Sequence, residues 1–387
     1  MGKGKHNPSI LSPSDDSVHV NKENYINNGS IKLHPLPTLT EIKSKIPSHC
    51  FRPTVMRSMF YVFIDAVYIL LTYLTMFYIQ KYFTYGYLIF PLYWYAQGTL
   101  YTSLFVLGHD CGHGSFSSHQ WIDDIMGTIL HTYVLVPYYP WKVSHNNHHK
   151  NTGNIDKDEV FYPRRLKAVD DELSKNMDKI GERRRSFQAP YFGLGIGWFY
   201  YLVFGYAPRP VNHFNPFHPM FQKHIVGVTS SLIAYSLMFY LMHLYAQSYG
   251  YFALISYHLI PTFIFACYIV IITFLQHTEV DVPWYSGDEW NYVRGQLSTI
   301  DRNYGHVHSI IHSAGTHQIH HLFTKVPHYH SEEATKYFRK AFPHLVRLNH
   351  ERILPSFIRM FKIHVKQRSL KNDVRIFQYN DEKIKST

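Results

Sequence analysis

The chain has 387 residues, of which 46% are hydrophobic and 17% aromatic, and it carries a formal net charge of +11. Its mean hydropathy is only −0.20, yet the apolar residues are gathered into blocks, a pattern of membrane spans joined to a large polar portion rather than of two or three soluble domains. Three cysteines, Cys50, Cys111 and Cys267, have no spacing for a zinc ribbon or a disulfide framework, and the basic excess accompanies no nucleic-acid-binding module, which leaves anionic lipid or an acidic protein as its counterpart.

Residues 1–45 are polar, rich in Asn, Ser, Pro and Lys, and read as a flexible cytosolic arm without a signal peptide. Met1-Gly2 is followed by His6 rather than Ser or Thr at the sixth position, so the myristoylation pattern fails. Asn28-Gly29-Ser30 is a formal glycosylation sequon that a cytosolic arm leaves unmodified. Apolar blocks at residues 58–79 and 86–107 form one predicted hairpin, and blocks at 225–244 and 251–275 a second; each meets the roughly 20 residues that a bilayer helix needs. The connection at 80–85 carries one basic residue and that at 245–250 none. Nearly all Lys and Arg therefore share a side with both termini, and the positive-inside rule makes that side cytosolic. Asp65, within the first span, is expected to face the bundle. The stretches 121–139 and 191–206 are interrupted by charged residues, glycine or proline and are expected in the interface plane.

Arg164 to Arg185 is a charged run, read as a solvated helix face or a dock for an acidic partner. Ser331-Glu332-Glu333 has the form of an N-cap with acids in the first turn of a helix. Lys383 and Lys385 resemble a dilysine signal for retrieval to the endoplasmic reticulum.

Three histidine clusters stand just outside the predicted spans. His109 and His113 are four apart, while His145, His148, His149 and His317, His320, His321 repeat the i, i+3, i+4 spacing that puts side chains on one helix face. Isolated His131 and His243 are read as structural. Neutral imidazole binds Zn, Cu, Fe and Ni, and a zinc site takes about four ligands, so eight imidazoles imply two ions. Paired hydrolytic zincs normally bring bridging carboxylates, whereas Asp110 is the only acid inside a cluster. The set suits iron that activates dioxygen better than hydrolytic zinc.

The three clusters, written H-x3-H, H-x2-H-H and H-x2-H-H, resemble the histidine boxes of the membrane fatty-acid desaturases. The likeness extends to Trp121-Ile122-Asp123-Asp124, Val136-Pro137-Tyr138, Asn151-Thr152-Gly153, Gln276-His277-Thr278 and Asp301-Arg302-Asn303-Tyr304-Gly305, and is closest to the branch that contains the delta-12 and omega-3 enzymes. The resemblance implies two Fe ions held by the eight box histidines and by His277 as a ninth ligand. His312 is a spare or outer candidate, and Asp110 is expected to orient a ligand ring through its second nitrogen. It further implies O2 as co-substrate and an acyl chain on phospholipid or coenzyme A. The third box opens with His317 where front-end desaturases tend to have Gln, and no His-Pro-Gly-Gly haem motif is present. Electrons are therefore expected from separate cytochrome b5 and its NADH-dependent reductase.

The expected architecture is all-α: four transmembrane helices in two hairpins under a cytosolic helical cap that holds a di-metal site. Residues 46–365 form the desaturase domain and 366–387 a polar tail, in the endoplasmic reticulum membrane; a homodimer is neither specified nor excluded. A di-iron lipid hydroxylase is the rival enzyme, and a non-catalytic metal-binding membrane protein the rival from another class.

Overall fold

The computed structural model describes residues 36–160, 162–165, 193–206, 208–280, 282–367 and 369–381. Most of the expected arm, residues 166–185 of the charged run, and Lys383 with Lys385 lie outside these. Helix α1 (Leu39–Ser44) opens with a capping box: Thr38 Oγ1 accepts the Glu41 N–H at 3.2 Å and the Glu41 carboxylate accepts the Thr38 N–H at 2.6 Å. The sequence reading assigned this stretch to the loose arm. Ile42, fully buried in one cluster with Ile319 and Leu322, anchors it instead.

Beyond a 3-10 turn at Ser48–Phe51 come α2 (Val55–Tyr82) and α3 (Phe90–His113). They are followed by α4 (Gln120–Tyr133), α5 (Tyr138–Asn151), α6 (Gly195–Phe204) and α7 (Ile225–Tyr249). A short α8 (Tyr251–Leu254) leads through a π-helical turn, Ile255–Leu259, into α9 (Ile260–His277). The loop expected at 245–250 is mostly helix. The reversal is made by Gly250 alone, at φ 87°, a left-handed conformation that glycine adopts without strain. The remaining helices are α10 (Tyr292–Gln296), α11 (His317–Leu322), α12 (His328–Ala341) and α13 (Ile353–Gln367).

Among the described residues three helical stretches are long and apolar enough to cross a membrane: Val55–Tyr82, Pro219–Tyr249 and Tyr251–His277. The expected span at 86–107 falls in α3, which is not among them. Helix α3 packs against α2, α4, α5 and α9 and is buried along most of its length, with Gln97, Thr102 and Ser103 among its buried polar side chains. Gln97 Nε2 donates to the Ile69 carbonyl at 3.3 Å, Thr102 Oγ1 to the Gly98 carbonyl at 2.9 Å, and Ser103 Oγ to Asp65. Asp65 is buried in the bundle, as its cost in lipid requires. Large apolar residues of α2 and α7, among them Phe63, Leu70, Ile233 and Leu241, are exposed, as befits helices that face lipid.

Among the described residues six two-residue strands tie the polar portion together. β1 (Arg164–Arg165) pairs in parallel with β5 (Ser369–Leu370), β2 (Trp284–Tyr285) antiparallel with β6 (Ile376–Phe377), and β3 (Asp301–Arg302) in parallel with β4 (Leu348–Asn349). The tail is thus stitched to the body as far as Phe377, and Tyr379 is buried.

A charged knot fixes the far end of α9. Glu279 is buried and pairs with the buried guanidinium of Arg302, while Arg359 Nη1 and Nη2 reach its two oxygens at 2.9 and 3.0 Å. Arg302 also donates to the Leu275 carbonyl at 3.0 Å and to Ser356 Oγ at 2.8 Å, so α9, β3 and α13 meet at one carboxylate. Removing one partner of a buried pair strands the other charge, at about 3–5 kcal/mol. Glu279→Ala is expected to lower the thermal unfolding midpoint of the detergent-solubilised protein accordingly; an unchanged midpoint would show that the knot does not hold the fold.

Candidate metal centre

Four helix ends converge on one buried volume. The C-terminal turn of α3 brings His109 and His113, α5 brings His145, His148 and His149, α11 brings His317, His320 and His321, and the last residue of α9 is His277. The approach of α3 to α4 depends on Gly108, where a Cβ would stand 2.2 Å from the His131 ring. His131 itself is turned away from the cluster: its ring stacks on Phe105 at 4.5 Å, and Nε2 lies 3.1 Å from the Phe105 carbonyl.

The rings sort into two groups. Ligand atoms of His109, His113, His145, His149 and His320 lie within 4.8 Å of one another, as do those of His148, His277 and His321. His317 joins the second group, with Nε2 at 2.9 Å from His277 Nε2 and its ring 4.4 Å from that of His321. The groups share a wall, where His149 and His321 stack with centroids 4.1 Å apart. Within the first group Nε2 atoms approach to 3.3 Å (His109 and His113), 3.1 Å (His145 and His149) and 3.2 Å (His149 and His320). With metal–imidazole bonds of about 2.1 Å, two nitrogens at right angles around one ion are about 3 Å apart, so these spacings fit shared cations. His321 Nε2 is buried with no hydrogen-bond partner, a lone pair that a cation would take.

The outward nitrogens are held by protein. His148 Nδ1 lies 2.8 Å from Asp158 Oδ1, and His321 Nδ1 lies 3.1 Å from Gln296 Oε1 and 3.2 Å from Thr152 Oγ1. Such bonds fix tautomer and ring angle and leave Nε2 for a metal. Trp141 stacks on His145 at 4.5 Å. The carbonyl of Asp158 accepts from Arg209 Nε at 2.7 Å, which clamps its loop. Burial, reinforced by neighbouring rings, pushes His145, His149, His317, His320 and His321 well below the ordinary histidine pKa. They are neutral at physiological pH, the form that coordinates.

Two candidates of the sequence reading lie outside both groups. His312 Nε2 is 2.8 Å from Asp65 Oδ2 and 3.3 Å from Ser103 Oγ, so it partners the buried acid of α2. Asp110 Oδ1 is 3.9 Å from His109 Nδ1, beyond a hydrogen bond, while its Oδ2 accepts from the backbone N–H of His328 at 3.0 Å and lies 2.9 Å from His328 Nδ1. Asp110 thus caps the start of α12. Consequently α12 begins at His328, one turn ahead of the expected cap; Ser331 Oγ instead donates to the His328 carbonyl at 2.7 Å. Asp158, Gln296, Thr152 and His328 escaped the sequence reading. For Asp158 the signal was available, an acid nine residues past a histidine box; for the others contact arises only in three dimensions.

Asp158→Asn is expected to weaken metal binding about 10–100-fold, read by chelator competition on purified protein; unchanged affinity would show that the His148 ring needs no anchor. The buried rings also fix a pH sign. Their folded pKa values lie below the unfolded value of 6.5, so the unfolded chain takes up protons first and stability falls with pH. The unfolding midpoint of metal-free protein is expected to drop as pH goes below about 6.5; a flat profile down to about pH 5 would mean the rings are not held neutral.

A sequence profile of the fatty acid desaturase family matches residues 85–352. The sn-1 acyl-lipid omega-3 desaturase (ferredoxin) of Synechocystis sp. is 37% identical over 332 residues, covering 85% of this chain and 88% of that protein. A delta(12) fatty acid desaturase of Calendula officinalis is 37% identical over 79% of this chain and 82% of its own. The endoplasmic reticulum omega-3 fatty acid desaturase of Nicotiana tabacum is 37% identical over 77% and 76% respectively. By profile and by identity over most of its length, the chain belongs to the fatty acid desaturase family, in the methyl-end branch, and is an oxidoreductase acting on fatty acyl chains.

Proposed function

We propose that this protein is an O2-dependent di-iron desaturase that places a cis double bond towards the methyl end of an unsaturated acyl chain, at the delta-12 or omega-3 position. The observation that carries the reading is the packing of nine imidazoles into groups of five and four at the ends of four helices. His109, His113, His145, His149 and His320 would hold one iron, and His148, His277, His317 and His321 the other. The metals supply the oxidising power to take two hydrogens from adjacent unactivated methylenes as dioxygen, two electrons and two protons yield water, chemistry beyond any side-chain acid or base.

The chain's own residues provide rigidity and dryness. Asp158, Gln296 and Thr152 fix the ring planes from behind, and Trp141 and Phe105 close the side towards the bundle. We place α3 as a fourth span, since it runs between α2 and α9, both of which qualify as membrane helices. The excess of basic residues then assigns the site and both termini to the cytosolic face. Electrons come from a separate carrier, cytochrome b5 with its reductase in an endoplasmic reticulum membrane, although two cyanobacterial relatives are named for ferredoxin.

The test is expression in yeast, with fatty acids profiled by gas chromatography and mass spectrometry. Linoleate formed from oleate establishes delta-12 activity, and alpha-linolenate formed from supplied linoleate establishes omega-3 activity. His148→Ala is expected to abolish either product while the protein stays in the membrane. A hydroxylated product, or no product from iron-loaded protein offered both acids, overturns the assignment.

A further inference from the structure

A second kind of donor cluster lies away from the nine histidines, where the 3-10 turn Ser48–Phe51 meets α12. Ligand atoms of His49, Cys50, His330 and Glu333 lie within 4.8 Å of one another. His49 Nε2 is 2.9 Å from Glu333 Oε2, and His330 Nδ1 is 3.7 Å from the same oxygen. The two imidazole rings stand edge to face at 5.3 Å. Cys50 is fully buried, seated in the apolar cluster that includes Ile42, Ile319, Leu322 and Phe338. An exposed His–Glu pair is an ordinary surface feature. A buried sulfur at the same point, with a second imidazole, is not accounted for by that pair.

We propose that His49, Cys50, His330 and Glu333 form a third metal site, a structural zinc site separate from the nine-histidine centre. The donor set is one sulfur, two nitrogens and one carboxylate oxygen, all zinc ligands, and four protein ligands close a tetrahedral structural site with no position left for substrate. Thiolate and carboxylate together neutralise the dication. Burial and the nearby Glu333 push the Cys50 thiol up to about 11; zinc would displace that proton on binding. Burial, with Arg57 nearby, lowers His330, which keeps its lone pair available. The consequence is mechanical: zinc here clamps the chain entering α2 onto α12, on the apolar cluster that also seats Ile319 and Leu322 of the third histidine box. Nothing in this inference depends on which acyl chain is desaturated or whether the irons are present.

The full-length protein, purified from yeast membranes in detergent, is expected to carry one zinc per chain beyond its iron. The double variant Cys50→Ser, Glu333→Gln should lose the zinc and keep the iron. After the zinc is stripped with a chelator, added Co2+ should produce a thiolate charge-transfer band in wild type that survives Cys267→Ser and disappears in Cys50→Ser. Absence of the band from wild type, or its persistence in Cys50→Ser, overturns the proposal. Should the Cys50 variants fail to fold, wild type alone decides: zinc should slow alkylation of Cys50, mapped by peptide mass spectrometry, and a chelator should restore it, whereas equal rates refute the site.

Discussion

Nine imidazoles withdrawn from water within one small volume are the constraint on which the rest of the molecule depends. Burying a polar group is costly unless it is compensated, and here ring nitrogens face one another across 2.9–3.3 Å. The backbone must hold them there against their own desolvation. It does so by drawing the rings from four separate helices and by tying the outer nitrogen of His148 to Asp158 and that of His321 to Gln296 and Thr152. Rings so arranged present converging lone pairs whose favourable occupants are cations.

The interior of the bundle is organised around the same end. Two carboxylates inside it each meet a histidine: Asp65 with His312, and Asp110 with His328. The rings of His312 and His328 are 4.5 Å apart, and Tyr61 stands edge-on to both. A continuous line of polar contacts therefore joins α2 to the start of α12 and passes beside His109. Charge that lipid would expel is kept in the molecule by pairing, and the pairing positions α12 relative to the first histidine box.

The histidine spacing made the centre legible in the sequence because helical periodicity acts over one turn, and a lone His277 at the end of an apolar block could be added only through resemblance. The division into five and four was not legible: it depends on how α5 turns His148 away from His145 and His149, which is a matter of packing between helices. Hydropathy found α2, α7 and α9 because lipid selects their surfaces. It ranked α3 on the same footing, but Gln97 and Ser103 of that helix record hydrogen bonds to α2. Ser331 illustrates the same limit, since local sequence offers a cap but the distant carboxylate of Asp110 supplies the one used.

The π-helical turn at Ile255–Leu259 bears on the far end of its own helix. An α-helix is a screw that advances about 100° per residue, and a π turn absorbs one residue more than the regular winding. Every side chain after Leu259 is therefore rotated in phase by about that angle, including His277, about 27 Å further along the axis. The bearing of the ring that closes the second group is thus set at the opposite end of a membrane-crossing segment. In this fold the aim of a metal ligand is a property of helix phase, chosen where no metal is near.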